Sequence, residues 1–258
     1  MKKIPLTITL LALSLSSFVF GLYSCKKEKF STGDGIGSLK LSLAPRFDGN
    51  PFEVGTVYYD YNGNRIRIDD FKVYFSRIAA IRSDNTEYSL SDIDLFQINE
   101  TQEISFQLPV GSYKGLKFSV GVPQEWNKDQ DPTQYPNSHP LSVNGAQGMF
   151  WHWNTGYVFF KVEGKADLSG TEGADLLHPF AFHCGEDVLY RTHVFDNNPF
   201  VVSEGSEARV AIRMDVNRFF YNETDSIDLG TEYLTHTSGN LPLAMRFTEL
   251  FNAAISLE

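Results

Sequence analysis

Residues 145–164, GAQGMFWHWNTGYVFFKVEG, hold two of the chain's three tryptophans and one of its six histidines. In a regular strand Met149, Trp151 and Trp153 share one face, while Phe150 and His152 take the other. Two indoles two residues apart commit a large volume to one spot. They read either as aromatic packing in a core strand, where such residues are enriched, or as a presented set of groups able to stack, ligate or be oxidised.

Other ligand types are scattered along the chain. His183 stands next to Cys184 at a strand end before Gly185, and His139 lies in a Pro-rich loop close to the aromatic run. A two-residue turn at 185–186 would bring His178 opposite His193. His236 falls in a polar loop and carries no pattern. Asn127, Asp129 and Asp131 have the spacing of the first three ligands of a calcium loop, but Pro132 and Ser138 occupy the positions that need Gly and Glu. These three are either candidate calcium ligands or an acidic turn. The chain contains no GxSxG elbow, no HExxH and no phosphate loop with Lys, so the expectation is a protein that is not an enzyme.

The elements that must position these groups begin after an export signal. Lys2 and Lys3 precede an apolar run interrupted by Thr and Ser, ending at Ser24-Cys25, the layout of a secretory signal. A small residue before Cys resembles a bacterial lipobox, which implies cleavage after residue 24 and lipid on Cys25. A transmembrane span would need about 20 strongly apolar residues. The expected partner of the N-terminus is therefore a membrane, reached through that lipid. The expected location is the cell envelope, facing the periplasm or the cell surface. Residues 25–38 then read as a flexible tether and residues 39–258 as one domain.

With 22 Lys+Arg against 32 Asp+Glu, the net charge is −10. A nucleic-acid partner is excluded on that ground, because phosphates need a basic footprint. Once Cys25 is lipidated, Cys184 has no partner for an intramolecular disulfide, and a lone thiol of this kind is either buried or functional.

Alternating apolar residues mark many short strands: Leu39, Leu41 and Leu43 in a strand ended by Pro45; Phe71, Val73 and Phe75; Ile104, Phe106 and Leu108; Leu116, Phe118 and Val120; Val158, Phe160 and Val162; Phe180 and Phe182; Val210, Ile212 and Met214. Asn62-Gly63 is a hairpin signal. Leu243, Phe247, Leu250, Phe251 and Ala254 recur at helical spacing after Pro242, which predicts a helix over about 242–255. The expected fold is all-β, an antiparallel β-sandwich of about eight to ten strands with a short C-terminal helix. The irregular stretch between residues 121 and 149, with four prolines, is too long to be an idle loop.

The order FKVYFSRI, GSYKGLKFSVGVPQEWNKDQDP, HPLSVNGAQGMFWHWNTGYVFFKVEG, FAFHCG, VAIRMDVNRFF resembles the MbnP-like copper-binding protein family from Leu39 nearly to the C-terminus. Met149, Trp151, Trp153, Gly156 and Tyr157 form its specific core, and Phe182, His183 and Gly185 support it. The resemblance implies an exported β-rich protein that binds copper through histidines. It further implies, in some relatives, a Trp oxidised to kynurenine, with a di-haem cytochrome c peroxidase-like protein as the oxidising partner. Indole Nε1 is a donor only, whereas ring opening exposes an aromatic amine, so Trp151 or Trp153 would become a ligand. Imidazole suits copper and sulfur ligands favour Cu(I), so His183, His152, His139 and Met149 are the metal-ligand candidates, for Cu(I) or Cu(II). His152 would need a β-bulge to join the tryptophan face.

Two other readings stay open. A surface glycan-binding or adhesion module would use Trp126, Trp151 and Trp153 as a stacking platform, and an electron-transfer partner would use an exposed Trp without metal. The anchor is tested separately: Cys25→Ser is expected to abolish palmitate labelling, and unchanged labelling would reject the lipoprotein assignment.

Overall fold

The computed structural model describes residues 35–258, apart from positions 100, 129, 153–155 and 172 and the side chain of His152. The signal, Cys25, Asp129 and Trp153 therefore lie outside the described residues. Seven strands precede the Pro-rich excursion: β1 (Ile36–Phe47), β2 (Asn50–Pro51), β3 (Val57–Tyr59), β4 (Arg65–Arg82), β5 (Glu87–Gln97), β6 (Gln102–Pro109) and β7 (Gly111–Val120). Within the excursion lie a single α-helical turn, α1 (Gln124–Asn127), and a 3-10 turn at Pro132–Gln134. Eight strands follow: β8 (Phe150–His152), β9 (Gly156–Asp167), β10 (His178–Gly185), β11 (Arg191–Phe195), β12 (Phe200–Val202), β13 (Glu207–Asp215), β14 (Leu234–His236) and β15 (Ile255–Leu257). The helix α2 (Leu241–Ala253) separates the last two strands.

The protein is all-β with a short C-terminal helix, as the alternation predicts, but the strands are more numerous and the sheets are mixed. One sheet runs β15-β13-β1-β2, with β6 also on β1; the other runs β11-β7-β4-β9-β10-β14, with β3, β5, β8 and β12 attached. Two pairings are parallel, β1 with β13 and β10 with β14. The first strand starts at Ile36, inside the stretch read as tether, because Ile36 and Gly37 already pair with Pro109 and Leu108. It also runs through Pro45 to Phe47, with Pro45 in register with Met214.

Strand β4 is the spine. Its register against β5 is continuous from Lys72 to Ile81 apart from one bulge. On the opposite edge β9 pairs with its first half, up to Val73↔Phe160, and β7 with its second half, from Phe75↔Val120. The strands β7 and β9 thus lie end to end along one edge. The 121–155 excursion leaves and returns at that fork. Two buried tyrosines pin it there, Tyr74 donating its hydroxyl to Pro140 O at 2.9 Å and Tyr157 to Leu141 O at 2.5 Å.

The inner faces of β9 and β10 are sealed by α2. Asn240 caps the helix by accepting from Leu243 N, and Pro242 sits in its first turn, where a missing N–H costs nothing. Phe247 stacks on Phe182 and Phe251 on Phe160, each with ring centroids 4.0 Å apart. Cys184 is fully buried beside the helix, its Sγ 3.8 Å from Ala244 O, and burial pushes its thiol up to about 12. It is packing, not a reactive group.

The helix also reaches β11. His193 forms a three-ring cluster with Phe118 and Phe195, and its Nε2 donates to Asn252 Oδ1 at 2.8 Å. Burial lowers its pKa from the ordinary 6.5, with the Asn252 bond opposing in part. His139 and His183 are lowered by burial as well. An unfolded chain therefore takes up these protons before the folded one does, and stability is lost as pH falls through the window below 6.5. The melting temperature is expected to drop between about pH 7 and pH 5, with a smaller drop in His193→Gln; a melting temperature flat across that range would contradict this.

Candidate functional site

Because Phe182 and Cys184 point inward beneath α2, alternation turns His183 to the outer face of β10. Its neighbours across the sheet are Lys161 on β9 and, through the short parallel strand β14, His236. The His183 and His236 rings stand 4.6 Å apart between centroids at 71°, with Nδ1 to Nδ1 at 2.9 Å. His183 keeps 14% of its side chain exposed, and His236 is exposed.

The parallel pairing that makes this pair spans three residues, so something beyond strand propensity must hold it. Thr237, fully buried at φ 54°, donates its hydroxyl to His183 O and accepts from Gly185 N, each at 2.9 Å. Ala181 N donates to Tyr233 O at 2.8 Å at the other end. Together these bonds fix the register that sets His236 beside His183.

The aromatic run closes the third side. Phe150 pairs with Tyr157 but His152 pairs with Gly156, so Trp151 is the extra residue of a β-bulge. Trp151 is half-buried against the core, its ring centroid 6.3 Å from that of His183 and 6.5 Å from that of His236. A Cβ on Gly185 would stand 2.5 Å from Tyr157 O and 3.3 Å from Trp151 Cζ3, so glycine is what lets the run lie this close to β10. At the base of the hairpin Gly156 has φ 74°, and a Cβ there would meet Asn127 Oδ1 at 2.2 Å.

A charged strip runs away from the pair along the outer face. Glu163 Oε1 is 2.5 Å from His183 Nε2. Lys161 Nζ lies 3.7 Å from that oxygen and 2.6 Å from Asp70 Oδ2, while Lys72 Nζ lies 3.8 Å from Asp70 Oδ2 and donates to Gln147 O at 2.9 Å. Burial lowers the pKa of His183; the Glu163 bond and charge oppose this, and His236 and Lys161 add to it. The net direction favours the neutral ring.

The sequence-derived candidates separate clearly. His183 and Trp151 come together. Met149 is fully buried in the core, because the bulge takes Trp151 out of alternation with it. His139 stacks on Tyr135 at 4.4 Å, and its Nδ1 accepts from Leu141 N. The side chain of His152 and the whole of Trp153 lie outside the described residues. Asn127 spends its oxygen on Tyr157 N and its amide on Asp187, and Asp131 caps the turn at Thr133. Both oxygens thus have structural uses, and Asp129 lies outside the described residues.

His178 and His193 do not face each other. After Gly185 the chain turns at Glu186, φ 71°, and crosses the fork, so β11 pairs with β7 while His178 pairs with Ala166 on β9. His236 is the functional candidate that sequence reasoning missed. A three-residue strand has no periodicity, and the only local signal was Thr on both sides of it.

Among the described residues no group of three or more His, Cys, Asp or Glu side chains is arranged to hold a metal ion. The site is a two-nitrogen pair with an indole beside it.

Over residues 36–238 the sequence matches the family model described as MbnP. A solved structure, MbnP from Methylosinus trichosporium, is similar in fold with a TM-score of 0.52 at 14% identity, covering 74% of this chain and 79% of that one. No curated protein matches the sequence. With the family model spanning most of the β-rich domain, the chain belongs to the MbnP family.

Proposed function

We propose that this is an exported, lipid-anchored copper-binding protein whose metal is held by His183 and His236. The observation that carries the reading is the 2.9 Å approach of the two Nδ1 atoms. His183 and His236 would hold the ion through these two nitrogens, each supplying a neutral imidazole donor. Imidazole accepts several divalent metals, and the choice of copper rests on the family resemblance.

Two nitrogens are an incomplete set, and Trp151 supplies the next group. Its indole Nε1 cannot ligate. Oxidation of Trp151 to kynurenine by a di-haem cytochrome c peroxidase-like partner would place an aromatic amine beside the pair. His152, which follows the bulge, remains a further candidate. Bound copper would supply a soft redox-active centre or a transport cargo. The protein's own residues hold and orient it: Thr237 fixes the His236 strand, Gly185 admits the indole, and the buried side of His183 keeps that ring neutral. A glycan platform is less well supported, because Trp126 packs against the core and Trp151 faces the imidazoles.

Titration of the purified mature protein with Cu(I) and with Cu(II) tests the pair. His236→Ala and His183→Ala are each expected to weaken binding by more than the roughly 10–100-fold typical of outer-shell changes. The exposed His236→Ala should leave the metal-free melting temperature nearly unchanged. Wild-type affinity in both variants would reject the site. Peptide mass spectrometry on protein from its native host reads the state of Trp151, where kynurenine supports the oxidising partner and intact Trp rejects it.

A further inference from the structure

We propose that Glu163 is a positioning residue that fixes the tautomer of His183, so that Nδ1 and not Nε2 is presented toward His236; this rests on the copper reading of the pair. A carboxylate only accepts hydrogen bonds. At 2.5 Å from Glu163 Oε1, His183 Nε2 must therefore be the donor. A neutral imidazole carries a single N–H, so Nδ1 of His183 then holds the lone pair. That lone pair faces Nδ1 of His236 at 2.9 Å. Two lone pairs do not approach so closely, and His236 must be the Nδ1–H tautomer in the metal-free protein.

The pair is thus asymmetric before any metal arrives. His183 is locked as the acceptor, while His236, exposed to water, is free to change tautomer. Admitting a cation between the rings requires His236 alone to move its proton from Nδ1 to Nε2 through solvent. Each ring keeps one N–H before and after, and no proton is gained or lost.

Glu163 is itself held. Lys161 lies between it and Asp70, and Lys72 continues from Asp70 to the carbonyl of Gln147, four residues before Trp151. The side chains of Lys161 and Lys72 are only 13% and 12% exposed, so solvent screens this chain less than it would a surface pair. One line of alternating charges therefore braces His183 at one end and the turn that leads into β8 at the other.

The test reads tautomers in the metal-free mature protein by long-range proton–nitrogen correlation NMR. Wild type should show His183 as Nε2–H and His236 as Nδ1–H. Glu163→Ala should turn His183 into a mixture of tautomers and weaken Cu(I) or Cu(II) binding about 10–100-fold. Glu163→Gln, whose amide oxygen can still accept, should restore most of the Nε2–H form. A wild-type His183 in the Nδ1–H form would overturn the proposal, as would a Glu163→Ala protein with wild-type tautomers. Failure of the wild type to bind copper would sink the copper reading alone, since the metal-free spectra still judge Glu163. Normal copper binding with unmoved tautomers in Glu163→Ala would sink the Glu163 role alone.

Discussion

Everything at the candidate site hangs on which way β9 and β10 face, and that is decided by four phenylalanines. Phe160 and Phe182 stack on Phe251 and Phe247 of α2, with centroids 4.0 Å apart in both pairs. Each fully buried side chain of this size stabilises by about 1.5–3 kcal/mol, and each well-placed aromatic pair by about 0.5–1.5 kcal/mol more. The imidazoles of the mostly buried His183 and the exposed His236 contribute nothing comparable. The core therefore sets the face, and Lys161, Glu163 and His183 point outward because Phe160, Phe182 and Cys184 point inward.

The second constraint is the fork on β4. With β7 and β9 sharing one edge end to end, both the 121–155 excursion and the 186–190 connection must pass over the same gap. The aromatic run is brought to the end of β10 by this topology. Gly156 and Gly185 then remove the atoms that would keep it away. Asn127 and Asp131, attractive as calcium ligands by spacing, instead hold the backbone of this crossing.

Much of this was legible in the sequence. Alternation gave the principal strands, and helical spacing after Pro242 gave α2. The weight of aromatic residues in one run marked the neighbourhood of the site. Illegible features are those set by single residues or distant contacts. A bulge at Trp151 shifts one residue without altering composition, and it alone separates Trp151 from Met149. The strand holding His236 is three residues long and owes its register to Thr237 and Tyr233, which no local pattern announces. The expected facing of His178 and His193 failed because the turn at Glu186 leads across the fork and not back along β10.

The proposed copper site lies between His183 and His236 beside Trp151. Anomalous diffraction at the copper edge from crystals of the copper-loaded protein tests it most directly. A copper ion held by the pair gives a single strong peak about 2 Å from both Nδ1 atoms, on the Trp151 side of the pair. A peak at His139 or elsewhere, with the two imidazoles still in direct contact, would contradict it.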